Sequence, residues 1–264
     1  MRSGVSEFFG GAGYLFRGLG WMARRPGLWL FGLIPAVIVL MVYGSALVAL
    51  AWNLDGLAGW LTPFADDWGD GPRKGLRVVT GLAIFGASAF VAVLTFTAVT
   101  LLVGDPFYER ISERVEASQG GAPRKHEEPL LAEIVREIKD TVLLAVIAVS
   151  FAVVFFACGF LPVVGQTVVP VVAACVSGYF LAGELTSVAL ERRNIMRKER
   201  FALLKRNRPL TVGFGAATFV LFLIPLGAVL AMPGAVAGAT LLVRERLDGQ
   251  EAVTVGEGGA AGYH

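Results

Sequence analysis

Residues 141–183 read TVLLAVIAVSFAVVFFACGFLPVVGQTVVPVVAACVSGYFLAG, without one charged side chain. A helix that crosses bilayer hydrocarbon needs about 20 apolar residues. The stretch is far too long for one span, and its middle carries Gly159, Pro162, Gly165 and Pro170. Proline removes a backbone donor and turns the preceding residue away from helix. The stretch therefore reads as a helical hairpin. Its first arm is expected over 141–160. Its second starts near Val168 and continues past Gly183 into the charged residues 184–205.

Three more uncharged stretches lie outward from it, at 26–54, 78–104 and 209–243. The first two each fit one complete span. The last breaks at Pro225 and again at Pro233–Gly234, and its arms, 211–224 and 234–243, have the length of re-entrant segments. The expected fold is an all-α integral membrane protein with two long transmembrane helices plus two partly penetrating, re-entrant helical hairpins. One membrane domain is expected over 1–247. The Gly-rich tail 248–264 lacks a hydrophobic pattern and is expected to be disordered.

Composition agrees with a bilayer environment. Hydrophobic residues make up 55%, charged residues 17%, and mean hydropathy is +0.67. Soluble domains carry about 25% charged residues. A net charge of +2 gives no ground for nucleic-acid binding. The opening residues 5–22 mix Phe8, Phe9, Tyr14, Phe16 and Trp21 with Arg17. Aromatics at that density suit an interfacial helix, and the many glycines leave a flexible lead as the alternative.

Lys and Arg in short loops orient the chain. Arg17, Arg24 and Arg25 mark the N-terminal segment, Arg110, Arg114, Arg136 and Lys139 the middle one, and Arg192 to Arg208 the third. All three are expected to be cytoplasmic. The loop 55–77, with Asp55, Asp66, Asp67 and Asp70, is expected outside. Both termini then lie inside, in the inner (plasma) membrane of the cell. Ala49-Leu50-Ala51 resembles a signal-peptide cleavage site, but the region before Pro26 is too long for one and the apolar run exceeds a typical signal core. A retained span is expected.

Few residues could carry chemistry. The chain has no phosphate-binding G-x-x-x-x-G-K-[ST] loop. His126 and His264 lie outside the apolar blocks, and Glu127 and Glu128 beside His126 read as a solvated loop. Cys158 and Cys175 read as small buried hydrophobes, and a disulfide across the hairpin is the alternative. No enzyme activity, metal site or cofactor is expected.

Arg24-Arg25-Pro26-Gly27-Leu28 stands apart. Proline favours the first helical turn, so a positive helix end is expected beside two guanidinium groups. Arg24, Arg25, Gly27 and Leu28 together make a candidate anion site, and a positive-inside anchor is the plainer reading. Glu109, Glu113 and Glu116 recur at helical spacing, as do Arg110 and Arg114, and they read as pore-mouth charges or as a paired surface helix. Glu184 closes the long apolar block, where a carboxylate needs a partner or water. Gly234 and Gly238 have the spacing of a close helix contact.

The landmarks Gly13-Tyr14-Leu15-Phe16-Arg17-Gly18, Pro26-Gly27-Leu28, Ile34-Pro35, Asp105-Pro106-Phe107, Glu113-Arg114-Val115-Glu116, Gly213-Phe214-Gly215, Ile224-Pro225 and Pro233 with Gly238-Ala239-Thr240 follow in order from about Gly10 to Leu247. In this order they resemble the bacterial sulfate permease CysZ and etoposide-induced membrane protein family. The resemblance implies two long spans with two partly penetrating hairpins, a homo-oligomer in the lipid bilayer, and uptake of sulfate for cysteine synthesis. It also implies sulfate binding by a Gly-Leu-Arg stretch at the start of the first long span. Here Gly27-Leu28 is followed by Trp29, and Arg24 and Arg25 precede it. The expected function is a permease or channel-like path for sulfate or a related oxyanion, without ATP hydrolysis. The alternative is a non-transporting scaffold that binds lipid or a membrane partner.

Overall fold

The computed structural model describes residues 4–121, 130–160, 164–224 and 226–247. All regular structure among them is helical. In chain order the helices are α1 (Gly4–Ala23), α2 (Pro26–Leu61), α3 (Asp70–Ser118), α4 (Leu130–Gly159), α5 (Val164–Glu191), α6 (Arg197–Arg206), α7 (Arg208–Leu223) and α8 (Gly227–Leu242). A 3-10 turn at Pro63–Ala65 joins α2 to α3, and a π turn at Val243–Leu247 ends α8. Among the described residues, five stretches are long and apolar enough to cross a membrane: Pro26–Leu61, Asp70–Ser118, Val142–Gly159, Gly165–Glu191 and Gly227–Leu247. His126, Pro162, Pro225 and the tail 248–264 lie outside the described residues.

The helix ends follow local chemistry. Pro26 opens α2 with its fixed φ and no donor to lose, while the Arg25 carbonyl accepts from Leu28 and Trp29. At the end of α3, Gly120 takes φ +108° and the Gly121 N–H returns to the Glu116 carbonyl. Asn194, at φ 60°, closes α5 in the same way, with Ile195 bonded back to Leu190. Asparagine tolerates this left-handed turn, so α5 stops at Glu191 and the basic α6 is a separate helix.

The described chain divides into two compact units. Leu33–Phe107 forms one, and the residues up to Gly32 with those from Tyr108 onward form the other. Within the Leu33–Phe107 unit, Tyr43 and Thr95 share a hydrogen bond of 3.0 Å. Arg77 pairs with Asp66, and Arg73 with Asp70. Trp52, Trp60, Phe64 and Trp68 are exposed around the turn. Amphipathic rings so placed suit a membrane–water boundary.

In the other unit α1 packs on α7 and α8, and α5 packs on α7. Glycines set these crossings. A Cβ on Gly18 would strike the backbone of Gly234 and Gly238; one on Gly11 would strike Leu210, and one on Gly213 would strike Phe8. Gly178 and Gly215 face each other across α5 and α7. Leu15, Met22, Phe214, Leu242 and Leu247 fill the space between.

Several boundaries differ from expectation. The glycine-rich opening is a continuous helix, and Gly11 and Gly18 are contact points, which removes the flexible-lead alternative. The second span does not stop at Gly104 but runs through Pro106 to Ser118. The first hairpin arm starts at Leu130, and Pro170 lies inside α5. Pro233–Gly234 is no break either. Pro233 is buried in α8, where its ring fills the space that Gly32 leaves open. With its π turn, α8 therefore has the length of a span. Cys158 and Cys175 are free, half-buried thiols, which sets aside the disulfide.

Gly18→Val should lower the melting temperature in detergent by about 5–10 °C, because backbone cannot yield to an added side chain as a rotamer can. Gly20, on the same helix, faces open space. Gly20→Val should leave the transition within about 2 °C of the parent, as read by the temperature at which the monodisperse protein is lost.

Candidate functional site

The corner between α1 and α2 places the first set of residues. Met22 is buried, so the chain turns over Arg24 and re-enters a helix at Pro26. The Arg25 guanidinium lies over the Trp21 ring, 3.9 Å from its centroid, and donates to the Trp21 carbonyl at 3.4 Å. A stacked guanidinium keeps N–H groups in its plane for other acceptors. Arg24, Arg25 and Gly27 are exposed and Leu28 is half-buried. Pro26 has no N–H, and those of Leu28 and Trp29 bond to the Arg25 carbonyl. Trp29 points its indole elsewhere, with Nε1 donating to the Leu230 carbonyl of α8 at 3.2 Å.

The second set lies on the last turns of α3. Tyr108, Ile111, Ser112, Val115 and Glu116 form one buried stripe at helical spacing. Glu109, Arg110, Glu113 and Arg114 lie off that stripe. Arg192, only 4% exposed, donates to the Glu109 carbonyl at 2.8 Å, with the Glu109 and Glu113 carboxylates 4.0 and 3.8 Å away. Arg110 and Arg114 are exposed. The four charges therefore do not act as one cluster: the carboxylates face a buried arginine and the arginines face outward.

The sequence set Glu116 beside Glu109 and Glu113 without distinguishing it as the most buried of these charges. Glu116 is 0% exposed, and both its oxygens are held. Arg193 bonds to Oε1 at 2.7 Å and to Oε2 at 3.3 Å, and Arg244 bonds to Oε2 at 2.7 Å. Arg244 also donates to the carbonyls of Gly121 and Gln119. Charge-assisted bonds of this kind are what a carboxylate out of water requires. The signal was present in the apolar stripe 108–115, whose continuation is position 116.

Glu184 is 53% exposed and lies 3.6 Å from Arg200, which also reaches Glu191 at 3.0 Å. Glu184 therefore has an arginine within ion-pair reach. The π turn supplies a last group. Arg17 and Tyr14 on α1 both donate to Glu245, at 2.7 and 3.0 Å, and Arg246 holds both oxygens of Glu7 at 2.9 Å. Burial, and next the bond to Glu245, push the Tyr14 hydroxyl above its ordinary pKa, so it remains a donor. Among the described residues, no group of three or more His, Cys, Asp and Glu is placed to hold a metal ion.

Comparison with known families gives a match over most of the chain. The family described as "Sulfate transporter CysZ/Etoposide-induced protein 2.4" aligns with residues 14–233. The matched range contains the α1–α2 corner, the α3 stripe and Arg193. It stops before Arg244 and Glu245.

Glu116→Gln keeps the shape of the side chain but leaves two arginines without their counter-charge. It should destabilise the fold by about 3–5 kcal/mol. Glu113→Gln, at a half-exposed carboxylate, should cost less than about 1 kcal/mol. Thermal unfolding of the two purified variants beside the parent separates these outcomes.

Proposed function

Since the chain belongs to the sulfate transporter CysZ/etoposide-induced protein 2.4 family, we propose that this multi-pass membrane protein is a permease for sulfate or a related oxyanion, working without ATP hydrolysis. The observation that carries the reading is the α1–α2 corner. There Arg25, held over Trp21, and Arg24 flank the start of α2. An oxyanion at this corner would meet two guanidinium groups, the Gly27 N–H and the positive end of a long helix. Glu109, Arg110, Glu113, Arg114 and Glu184 then belong to the mouth of the path or to the charged layer that supports it.

The proposed setting is a homo-oligomer in the inner membrane with both termini cytoplasmic. In this reading α2 and α3 span the bilayer. The pairs α4–α5 and α7–α8 enter and leave on the cytoplasmic side, as the basic residues around Arg192–Arg208 favour. A second reading, a membrane scaffold without transport, draws on Trp29. Its indole stands where the family's arginine is expected and is committed to the Leu230 carbonyl.

Sulfate flux into liposomes distinguishes the two. Reconstituted protein should raise flux above empty liposomes, and Arg24→Ala with Arg25→Ala should reduce it by about tenfold or more, the worth of one charge-assisted bond. Absence of flux from folded, reconstituted protein favours the scaffold. Flux unchanged in the double variant moves the anion site away from this corner.

Cysteine labelling tests the hairpins. The turns lie at Phe160 and Leu226, both exposed. In inside-out and right-side-out vesicles, Phe160→Cys and Leu226→Cys should resist a membrane-impermeant maleimide from the external face. Ready labelling there would make α4, α5, α7 and α8 full spans.

A further inference from the structure

Helices α4 and α5 diverge from their connection and leave a groove of about 630 Å³ between them. Its wall on α4 includes Ala148, Phe151, Ala152 and Phe155; on α5 it includes Phe180 and Glu184. The surface is apolar apart from Ser177 and, at one end, Glu184. Phe151 meets Phe180 with ring centroids 6.0 Å apart. Along this antiparallel pair Glu184 therefore falls at the Leu144 end, and Phe155 at the far end. No residue in the apolar stretch Val142–Gly159 is buried by the protein itself.

We propose that this groove holds one acyl chain of an anionic glycerophospholipid. Its length is the first reason. The α4 wall runs from Leu144 to Phe155, about 16 Å at helical rise, and half of a hydrocarbon core of about 30 Å is about 15 Å. The groove thus matches the depth of one leaflet. Polarity is the second reason. Groove charge is confined to one end, where an ester and headgroup would lie, and the Glu184 carboxylate there lies 3.6 Å from Arg200, which it shares with Glu191.

Charge beyond the mouth is the third reason, and it selects the headgroup. The Phe201 ring of α6 stands 5.9 Å from Phe180, so α6 borders the groove. Its sequence RKERFALLKR carries Lys198, Lys205 and Arg206 in exposed positions, and Arg208 follows. A basic helix bordering an apolar slot recognises a phosphate with a net negative charge over a zwitterionic headgroup. A second protein helix would need partners for those cations as well as an apolar face.

The test uses the full chain, purified and delipidated in detergent, with native mass spectrometry after addition of phosphatidylglycerol or phosphatidylethanolamine. The parent should retain one phosphatidylglycerol about fivefold more tightly than phosphatidylethanolamine, the effect of about one surface cation. Ala148→Phe with Ala152→Phe, at exposed positions, should fill the groove and reduce retention about tenfold with an unchanged melting temperature. Lys198→Ala with Lys205→Ala should keep a bound lipid but abolish the preference. Three results overturn the proposal: equal binding of the two lipids by the parent, undiminished phosphatidylglycerol in the filled-groove variant, or dissociation of an oligomer in that variant with lipid retained. The last identifies a second copy as the occupant. None of these readouts depends on transport.

Discussion

In hydrocarbon an apolar side chain gains little by leaving lipid for a neighbouring helix, so the packing of α1, α5, α7 and α8 rests on how closely their backbones approach. Gly18 meets Gly234 and Gly238, Gly178 meets Gly215, and Gly11 and Gly213 meet the backbones of Leu210 and Phe8. Each contact gathers many small dispersion contacts at short range. The rest of this unit follows from them. With α1 fixed on α8, Tyr14 and Arg17 reach Glu245, and Glu7 reaches Arg246. The same placement of α1 sets Trp21, and thereby the ring over which Arg25 lies.

The charged side chains of this unit are organised by burial rather than by number. Glu116 and Arg192 are withdrawn from solvent, and each finds partners from distant segments. The π turn makes the longest of these connections. Its wider turn presents Arg244 to α3 and both Glu245 and Arg246 to α1 within five residues. Insertions of this kind occur where a regular helix would point its side chains elsewhere. Replacing Glu116 by an apolar residue would leave Arg193 and Arg244 without their shared counter-charge.

The sequence carried the helical class, the start of α2 at Pro26 and the α4–α5 turn, because each depends on local chemistry: apolar length, proline at a first turn, glycine and proline at a break. It misled at Pro170 and Pro233, each of which lies inside a helix. Proline penalises a helix by a few kcal/mol, and tertiary packing around Pro233 outweighs that local preference. The candidate residues divide in the same way. The exposure of Arg24 and Arg25 follows from their place at a corner. The burial of Glu116 does not follow from its own neighbours, because Arg193 and Arg244 come from other parts of the chain. The apolar stripe from Tyr108 to Val115 pointed to it; the charges around it drew attention to the wrong carboxylates.

Trp29 ties the start of α2 to α8 through its indole. The family resemblance leads to an arginine there, and an arginine at the fourth position of a helix would add a mobile cation beside the first turn. The indole instead gives one fixed donor to the Leu230 carbonyl and covers apolar surface. It strengthens the attachment of α2 to α8 and withdraws charge from the corner. In the proposed permease the positive charge that meets an oxyanion is consequently moved one turn back, to Arg24 and Arg25. There Arg25 is already restrained by Trp21, and a restrained guanidinium loses less freedom on binding than a solvated one.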